Sequence, residues 1–253
     1  MIGNYFSKFN CFYEGAFVEG EGYTELEVDG HRIPLHFWSS SREEASMVIC
    51  HGMAEHGHRY APLGHFLSAR GISVYAHDDR GHGLNISNQT SCKGHFADQQ
   101  GWDLLLNDLR KVYSHASTRN RPIFLLGHSM GSYLALDFSF RNYGLVKHLI
   151  LSGSAYQSPW ELVVASWLVL FERWRLGKKA SSPFIKKLTF ERFNKSFKPS
   201  ATNFDWLSSD ASEVRKYIED DFCGFDCSTQ TWLDFINAMR EIFFSKNLTD
   251  SQK

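Results

Sequence analysis

The stretch Pro122-Ile-Phe-Leu-Leu-Gly-His-Ser-Met-Gly-Ser132 joins a short apolar run to the start of a helical pattern. The run is too short for a helix and predicts a buried parallel strand. The turn after it must be very tight, so Gly127 and Gly131 are needed to remove Cβ atoms that would collide there. This geometry raises the Ser129 hydroxyl above the sheet, at the N-terminus of the next helix. The backbone N–H of Met130 can then stabilise a developing oxyanion.

A second turn with glycine follows the strand predicted at Ser46–Cys50 and reads His51-Gly-Met-Ala-Glu-His-Gly-His-Arg-Tyr60. An oxyanion hole needs another N–H opposite the first, and a turn that leaves a neighbouring strand can supply it. We choose the N–H of Met53 for this role. Three histidines in this loop could indicate a metal site. The adjacent glycines and the nearby serine turn argue against one, so we predict no metal.

Composition and charge limit the class of protein. The chain has 253 residues, a net charge of −1 and a pI of about 6.9, which fits one large domain and does not indicate nucleic-acid binding. Its five scattered cysteines fit reduced thiols in a cytoplasmic protein, and Cys223 and Cys227 lack the second pair of a zinc site. No signal peptide is apparent at the N-terminus, and the longest apolar stretch, 162–171, is too short to span a bilayer.

A hairpin followed by alternating strands and helices is predicted up to Gly153. This order is typical of a mostly parallel sheet covered on both faces. The predicted strands are Tyr23–Val28, His31–Trp38, Ser46–Cys50, Ile72–Ala76, Ile123–Leu126 and Val146–Ser152, and the predicted helices are Tyr60–Arg70, Gln99–His115 and Met130–Arg141.

The pattern changes to helices and loops from Pro159, with a second long helix at Thr231–Lys246. These residues predict a helical cap over the carboxyl end of the sheet, above Ser129. In each long helix, apolar residues recur at helical spacing, and we expect both stripes to be core. The alternative is a lid whose apolar inner face meets a lipid tail. The stripes are Trp160, Val164, Trp167, Phe171 and Trp174 in the first helix, and Trp232, Ile236, Met239 and Phe243 in the second.

Four motifs between residues 23 and 153 are similar to those of one known family. They are His51-Gly-Met-Ala-Glu-His56 with Arg59-Tyr60, Asp79-Arg-Gly-His-Gly83, Gly101-Trp-Asp103 with Asp108-Leu109, and Gly127-His-Ser-Met-Gly131. The chain resembles the α/β-hydrolase family, in its branch of monoacylglycerol lipases and bacterial lysophospholipases. The resemblance implies a mostly parallel sheet flanked by helices, with a helical cap. It divides the chain into a core part at 1–153, a cap at 154–246 and the start of a further core segment at 247–253.

The resemblance also implies roles for particular residues. Ser129 would be the nucleophile, and the N–H groups of Met53 and Met130 the oxyanion hole. Glu55 and Arg59 would contact substrate or brace the pocket loop. The substrate would be a small lipid ester, a lysophospholipid or a monoacylglycerol, and the cap would contact the membrane peripherally. No cofactor is implied.

The catalytic base and acid are missing from their expected places. In this family the order along the chain is Ser, Asp or Glu, His. His148 is the only histidine after Ser129, and it lies inside the strand Val146–Ser152. No aspartate after the cap follows a strand-like run. We therefore expect that the last two βα units are absent, that the strand is an exposed apolar edge, and that the chain is impaired unless a separate C-terminal segment completes it.

Two other functions stay open. The chain could be a non-catalytic hydrolase-like protein that binds an acyl chain or a partner. It could also hydrolyse another acyl donor, such as a peptide, since the fold and the serine turn do not determine the substrate. An enzyme requires an additional segment with Asp and His, whereas a binding module does not.

Overall fold

The structure is a computed structural model that describes residues 20–86, 92–117, 120–197 and 199–244. The strands are β1 (Glu21–Val28), β2 (His31–Trp38), β3 (Ala45–Cys50), β4 (Ile72–His77), β5 (Ile123–His128) and β6 (His148–Ser152). The helices are α1 (Ala61–Ser68), α2 (Gly101–Ala116), α3 (Met130–Arg141), α4 (Pro159–Leu176), α5 (Pro183–Leu188), α6 (Phe190–Asn194), α7 (Ala211–Glu219) and α8 (Thr229–Phe244), with 3₁₀ turns at Gly57–Tyr60 and Gly83–Ile86.

The strands form one six-stranded sheet in the order β1-β2-β4-β3-β5-β6. β3 pairs in parallel with β4 and β5, and β5 pairs in parallel with β6. The antiparallel hairpin of β1 and β2 closes through Asp29 and Gly30, which both have positive φ as a tight hairpin turn requires. The predicted hairpin and mostly parallel sheet are confirmed.

Both faces of the sheet are covered, as the packing of the side chains of β3 shows. All six of its residues are buried, and successive side chains point to opposite faces. Met47 and Ile49 pack with Trp38 on the side of α1. Val48 and Cys50 belong to the larger cluster on the side of α2 and α3. A strand that is buried on both faces accounts for the unbroken apolar run at this position.

Helix α8 packs into the larger core cluster. Phe235 contacts the rings of Trp102 and Tyr133, with ring centroids 5.8 and 5.5 Å apart. Ile236 and Met239 are buried in the same cluster, so the stripe predicted on this helix is core. The division of the chain at residue 154 stays a prediction, and residues 247–253 lie outside the described residues.

The other aromatic stripe is not core, and that prediction was wrong. On α4, Trp160, Trp167 and Trp174 are 77%, 69% and 81% exposed. The helix instead packs against α8 through its opposite face, where Leu162 and Val169 are buried. Because α4 is apolar on most of its circumference, the spacing of its residues could not identify the buried face. None of the described helices is both long and apolar enough to cross a bilayer.

Strand β6 forms the exposed edge of the sheet, as predicted. Within the described residues it pairs with β5 alone. Ile150 and Leu151 are 40% and 39% exposed. An apolar edge with unpaired backbone groups can take up a further strand.

Candidate active site

Ser129 lies at a strained turn between β5 and α3. β5 ends at His128, α3 begins at Met130, and Ser129 between them has φ 52° and ψ −119°. Such a conformation costs a residue with a side chain ~1–3 kcal/mol and persists only when its surroundings impose it. The strand–turn–helix predicted from the sequence is confirmed.

The two glycines beside the serine are required by close contacts of the backbone. A Cβ on Gly127 would lie 2.2 Å from the carbonyl oxygen of Gly131. A Cβ on Gly131 would lie 2.2 Å from the carbonyl oxygen of Cys50 and 2.4 Å from that of His51. The start of α3 therefore rests directly on the end of β3, which brings the following loop to the serine.

That loop, residues 51–55, is here named the oxyanion loop. A Cβ on Gly52 would lie 3.3 Å from Cβ of Ser129, so the loop passes in close contact with the serine. Within the described residues, neither the N–H of Met53 nor that of Met130 donates a backbone hydrogen bond. Both groups are therefore open to another acceptor, and their convergence on one oxygen stays a prediction.

Glu55 holds this loop in place through three hydrogen bonds. Its Oε1 accepts hydrogen bonds from the N–H of Gly52 at 2.6 Å and the hydroxyl of Tyr60 at 2.9 Å. Its Oε2 accepts a hydrogen bond from Arg59 Nη1 at 2.5 Å. Burial alone would raise the pKa of the Glu55 carboxyl, but Arg59 and the Gly52 N–H hold it below its ordinary value. Of the two roles expected for Glu55 and Arg59, these contacts favour bracing.

His51 holds the loop from the side of the sheet. Its Nδ1 lies 2.7 Å from the carbonyl oxygen of Gly52, and its Nε2 lies 3.0 Å from the N–H of Asp79. A carbonyl can only accept and an N–H can only donate, so the ring carries its proton on Nδ1. The ring is fully buried in this arrangement.

The segment that contains α7 and the residues after it also holds the loop, within the range predicted to be the cap. Ala54 has a positive φ of 56°, and its carbonyl oxygen accepts hydrogen bonds from the Tyr217 hydroxyl at 2.9 Å and the Gly224 N–H at 3.0 Å. The Arg59 guanidinium stacks over the Tyr217 ring at 4.8 Å. These contacts leave no local mark in the sequence, because the alanine and the tyrosine are 163 positions apart.

All twelve histidines of the chain lie in the described residues, and none forms a hydrogen bond with the Ser129 hydroxyl. His128 turns away from the serine, and its Nδ1 lies 3.2 Å from the hydroxyl of Ser152. His148 stacks on Phe124 with centroids 4.7 Å apart.

His82 has a structural position. Its Nδ1 donates a hydrogen bond to the carbonyl oxygen of Arg80 at 3.1 Å. Its ring packs between Phe96 and Phe225, with centroids 5.8 and 5.2 Å away. Burial, first of all, and the neighbouring His51 lower the pKa of His82 to about 4.

Among the described residues, one group of side chains combines the types that ligate metals. His56, Asp220 and Cys223 have potential ligand atoms within 4.8 Å of one another. Of the two cysteines considered together from the sequence, only Cys223 belongs to this group. Of the three histidines in the loop after β3, only His56 belongs to this group. His51 is engaged with the oxyanion loop, and the ring of His58 stacks near Trp38.

Comparisons with known proteins agree with this architecture. Residues 41–249 match the family described as serine aminopeptidase, S33. The chain is 34% identical over 127 residues to a putative monoglyceride lipase of Schizosaccharomyces pombe, covering 48% of this chain and 31% of that protein. It is 28% identical over 159 residues to a monoglyceride lipase of Mus musculus, covering 56% of this chain and 48% of that protein. The matches thus span less than half of these relatives.

Solved structures show the same fold at low sequence identity. A thermostable carboxyl esterase from Bacillus coagulans superposes with a TM-score of 0.76 at 20% identity, covering 89% of this chain and 74% of that one. A soluble variant of a monoglyceride lipase from Saccharomyces cerevisiae superposes with a TM-score of 0.66 at 18% identity, covering 90% and 71%. The predicted α/β-hydrolase fold is confirmed.

We predict that Gly131→Ala destabilises the protein by ~1–3 kcal/mol or more, because the added methyl would overlap backbone carbonyls that cannot rotate away. Urea unfolding followed by circular dichroism measures this change. Ser139→Ala, on the same helix, is the matched control and should change stability little. An unchanged midpoint for Gly131→Ala would show that the close contact with β3 does not exist.

We also predict an acid-sensitive stability from His82. Its pKa is about 4 in the folded protein against an ordinary 6.5, so the unfolded chain binds the proton first. The free energy of unfolding should therefore fall as the pH decreases from about 6.5 to about 4. His82→Asn, which keeps a donor for the Arg80 carbonyl, should flatten this slope, whereas the half-exposed His65→Asn should keep it. Equal slopes in all three proteins would contradict the assignment.

Proposed function

Because the chain belongs to the serine aminopeptidase S33 family of α/β-hydrolases, we propose that it is a serine carboxylic-ester hydrolase. The observation that carries the proposal is the strained Ser129 turn, in close contact with the oxyanion loop, where the N–H groups of Met53 and Met130 donate no backbone hydrogen bond. These are the parts that acyl transfer requires: a nucleophile and donors for an oxyanion. The proposed substrates are monoacylglycerols or lysophospholipids, with an acyl-enzyme on Ser129.

The reaction would proceed in two stages. The Ser129 hydroxyl oxygen attacks the ester carbonyl while its proton passes to a histidine. The carbonyl oxygen becomes an oxyanion that accepts hydrogen bonds from the N–H groups of Met53 and Met130. Collapse of this intermediate expels the alcohol, which takes the proton. Water then attacks the acyl-enzyme with the same histidine as base and releases the fatty acid.

The histidine that this reaction requires is the missing part of the site. None of the twelve histidines bonds to Ser129, and a serine without an adjacent base is a weak nucleophile. We propose that the histidine and its acid come from a segment outside these 253 residues. The exposed edge of β6 supports this proposal, since a further parallel strand paired there would end at the same edge of the sheet as β5, which leads to Ser129.

The names of the relatives support a lipid ester, whereas the name of the family includes peptidases. An aminopeptidase substrate requires a site for its free amino group, and the carboxylate of Glu55 in the oxyanion loop is already occupied by three hydrogen bonds. This favours the ester. Hydrolysis of a monoacylglycerol compared with an amino-acid p-nitroanilide distinguishes the two reactions.

The proposed membrane contact has a physical basis in α4. Three tryptophans lie seven residues apart on one exposed face of this helix. Residues 159–198 contain nine Lys and Arg against three Asp and Glu. Tryptophan and basic side chains together are typical of surfaces that lie in the interface of an anionic bilayer. We therefore propose an anionic lipid surface as the partner of this face.

For the 253-residue chain alone, we predict turnover of short p-nitrophenyl esters close to background and slow labelling by a fluorophosphonate. Removal of the triad from a serine protease leaves only ~10³–10⁴-fold catalysis over water. Ser129→Ala should abolish both signals, whereas Ser139→Ala should keep them. Addition of the C-terminal segment of a longer relative should increase both rates. Fast turnover by the chain alone would contradict the proposal about the base, and labelling that survives Ser129→Ala would contradict the nucleophile.

For the membrane surface, we predict binding to vesicles that contain phosphatidylglycerol and weaker binding to phosphatidylcholine vesicles. Co-sedimentation at low and high salt measures it, since the basic contribution is screened by salt. Alanine at Trp160, Trp167 and Trp174 should reduce binding at least tenfold. Tyr143→Ala, at a 92% exposed aromatic outside the cap, is the control. Equal binding by both variants would remove α4 from the interface.

A further inference from the structure

We propose that His56, Asp220 and Cys223 form a zinc-binding site between the oxyanion loop and the cap. His56 directly follows the loop, and Asp220 and Cys223 follow α7 in the cap. The imidazole Nε2 and the carboxylate Oδ2 are 2.8 Å apart, and all three ligand atoms lie within 4.8 Å of one another. No other such group is present in the described residues. The inference is independent of the proposed ester chemistry.

The distances fit an ion after small side-chain rotations. Zinc lies ~2.0–2.2 Å from nitrogen and oxygen ligands and ~2.3 Å from sulfur, which places the ligand atoms of a tetrahedral site about 3.5 Å apart. The hydrogen-bonded pair of His56 and Asp220 is closer than this at 2.8 Å, and none of the three separations exceeds 4.8 Å. An ion would replace the proton that the pair now shares.

The type of ligand selects the ion. A thiolate, an imidazole and a carboxylate suit zinc, whereas magnesium and calcium prefer oxygen ligands alone. Thiolate and carboxylate together carry two negative charges, so a bound Zn²⁺ leaves the site neutral. The Cys223 thiol releases its proton to solvent when the metal binds. Arg59, a cation that interacts with Cys223, is itself compensated by Glu55 at 2.5 Å.

The ligands are held by the backbone around them. Asp220 Oδ1 accepts a hydrogen bond from the N–H of Phe222 at 2.8 Å, which holds the carboxylate with Oδ2 facing His56. The N–H of Cys223 donates to the carbonyl oxygen of Asp220 at 2.9 Å, so a turn sets the spacing of the two cap ligands. Such supporting hydrogen bonds orient ligands in metal sites.

A fourth ligand has room to enter from a small cavity beside the site. Its volume is about 40 Å³, and His56, Asp220, His58 and Phe222 are among the residues that line it. On this measure a cavity needs only ~10–15 Å³ to hold a water. Three protein ligands with a water in the fourth position form a familiar arrangement for zinc.

The position of the site beside the oxyanion loop indicates what a bound ion would do. The Ala54 carbonyl is held by Tyr217 and Gly224, which lie on either side of Asp220 and Cys223 in the sequence. An ion bound to His56 and to this cap segment would join the oxyanion loop to the cap by coordinate bonds in addition to the hydrogen bonds. Zinc would therefore stabilise the folded protein by binding it in preference to the unfolded chain.

The test uses Co²⁺ as a spectroscopic substitute for zinc on the purified, chelator-treated 253-residue chain. We expect one Co²⁺ per chain, a thiolate-to-cobalt charge-transfer band, displacement by Zn²⁺, and a higher Tm with Zn²⁺. Cys223→Ser should lose the band, and Asp220→Asn, which keeps the hydrogen bond to His56, should weaken Co²⁺ binding at least tenfold. Cys227→Ser, a buried cysteine in the same segment, and Cys92→Ser, an exposed one, should behave as wild type. Circular dichroism identifies any variant that fails to fold.

Absence of stoichiometric Co²⁺ binding to the wild-type chain would overturn the proposal. A band that survives Cys223→Ser in a folded protein would do the same, because the metal would then lie elsewhere. If Asp220→Asn binds Co²⁺ with wild-type affinity, the three-residue site is also wrong.

Discussion

The close contact between the start of α3 and the end of β3 is the constraint on which the rest of the site depends. No side chain fits between Gly131 and the carbonyl groups of Cys50 and His51. Two parallel strands therefore present their following turns side by side, with Gly52 against Ser129. Any widening of this contact would separate the serine from the oxyanion loop. The strained φ of Ser129 persists because strand, helix and loop all hold it.

The oxyanion loop is held from three sides by groups of different chemistry. The buried carboxylate of Glu55 accepts a hydrogen bond from Gly52, the imidazole of His51 contacts the Gly52 carbonyl at the sheet, and Tyr217 holds the Ala54 carbonyl. Ordering a loop costs ~1–2 kcal/mol per residue in backbone entropy. These contacts offset that cost before substrate arrives, which is the preorganisation that oxyanion stabilisation requires. In the proposed reaction, this chain therefore supplies the nucleophile and its electrostatic surroundings, and the proton acceptor comes from elsewhere.

Local features of the site could be predicted from the sequence, and distant ones could not. The apolar run, the two glycines and the helix at Met130–Arg141 all lie within residues 122–141, so their pattern predicted the observed turn. The hydrogen bonds from Tyr217 and Gly224 to Ala54 depend on the tertiary arrangement of the cap and leave no periodic signal. The error on α4 has a similar origin. Its residues are apolar on nearly every face, and only the position of α8 determines which face is buried.

The central claim is that the N–H groups of Met53 and Met130 converge on the oxygen of an acyl group attached to Ser129. A crystal structure of the chain after prolonged reaction with a fluorophosphonate tests it most directly, because the phosphonyl oxygen occupies the place of the oxyanion. The account predicts a phosphorus–oxygen bond on Ser129 and a phosphonyl oxygen within about 3 Å of both amide nitrogens. A phosphonyl oxygen that points to solvent, or hydrogen bonds from other groups in place of these two, would contradict it.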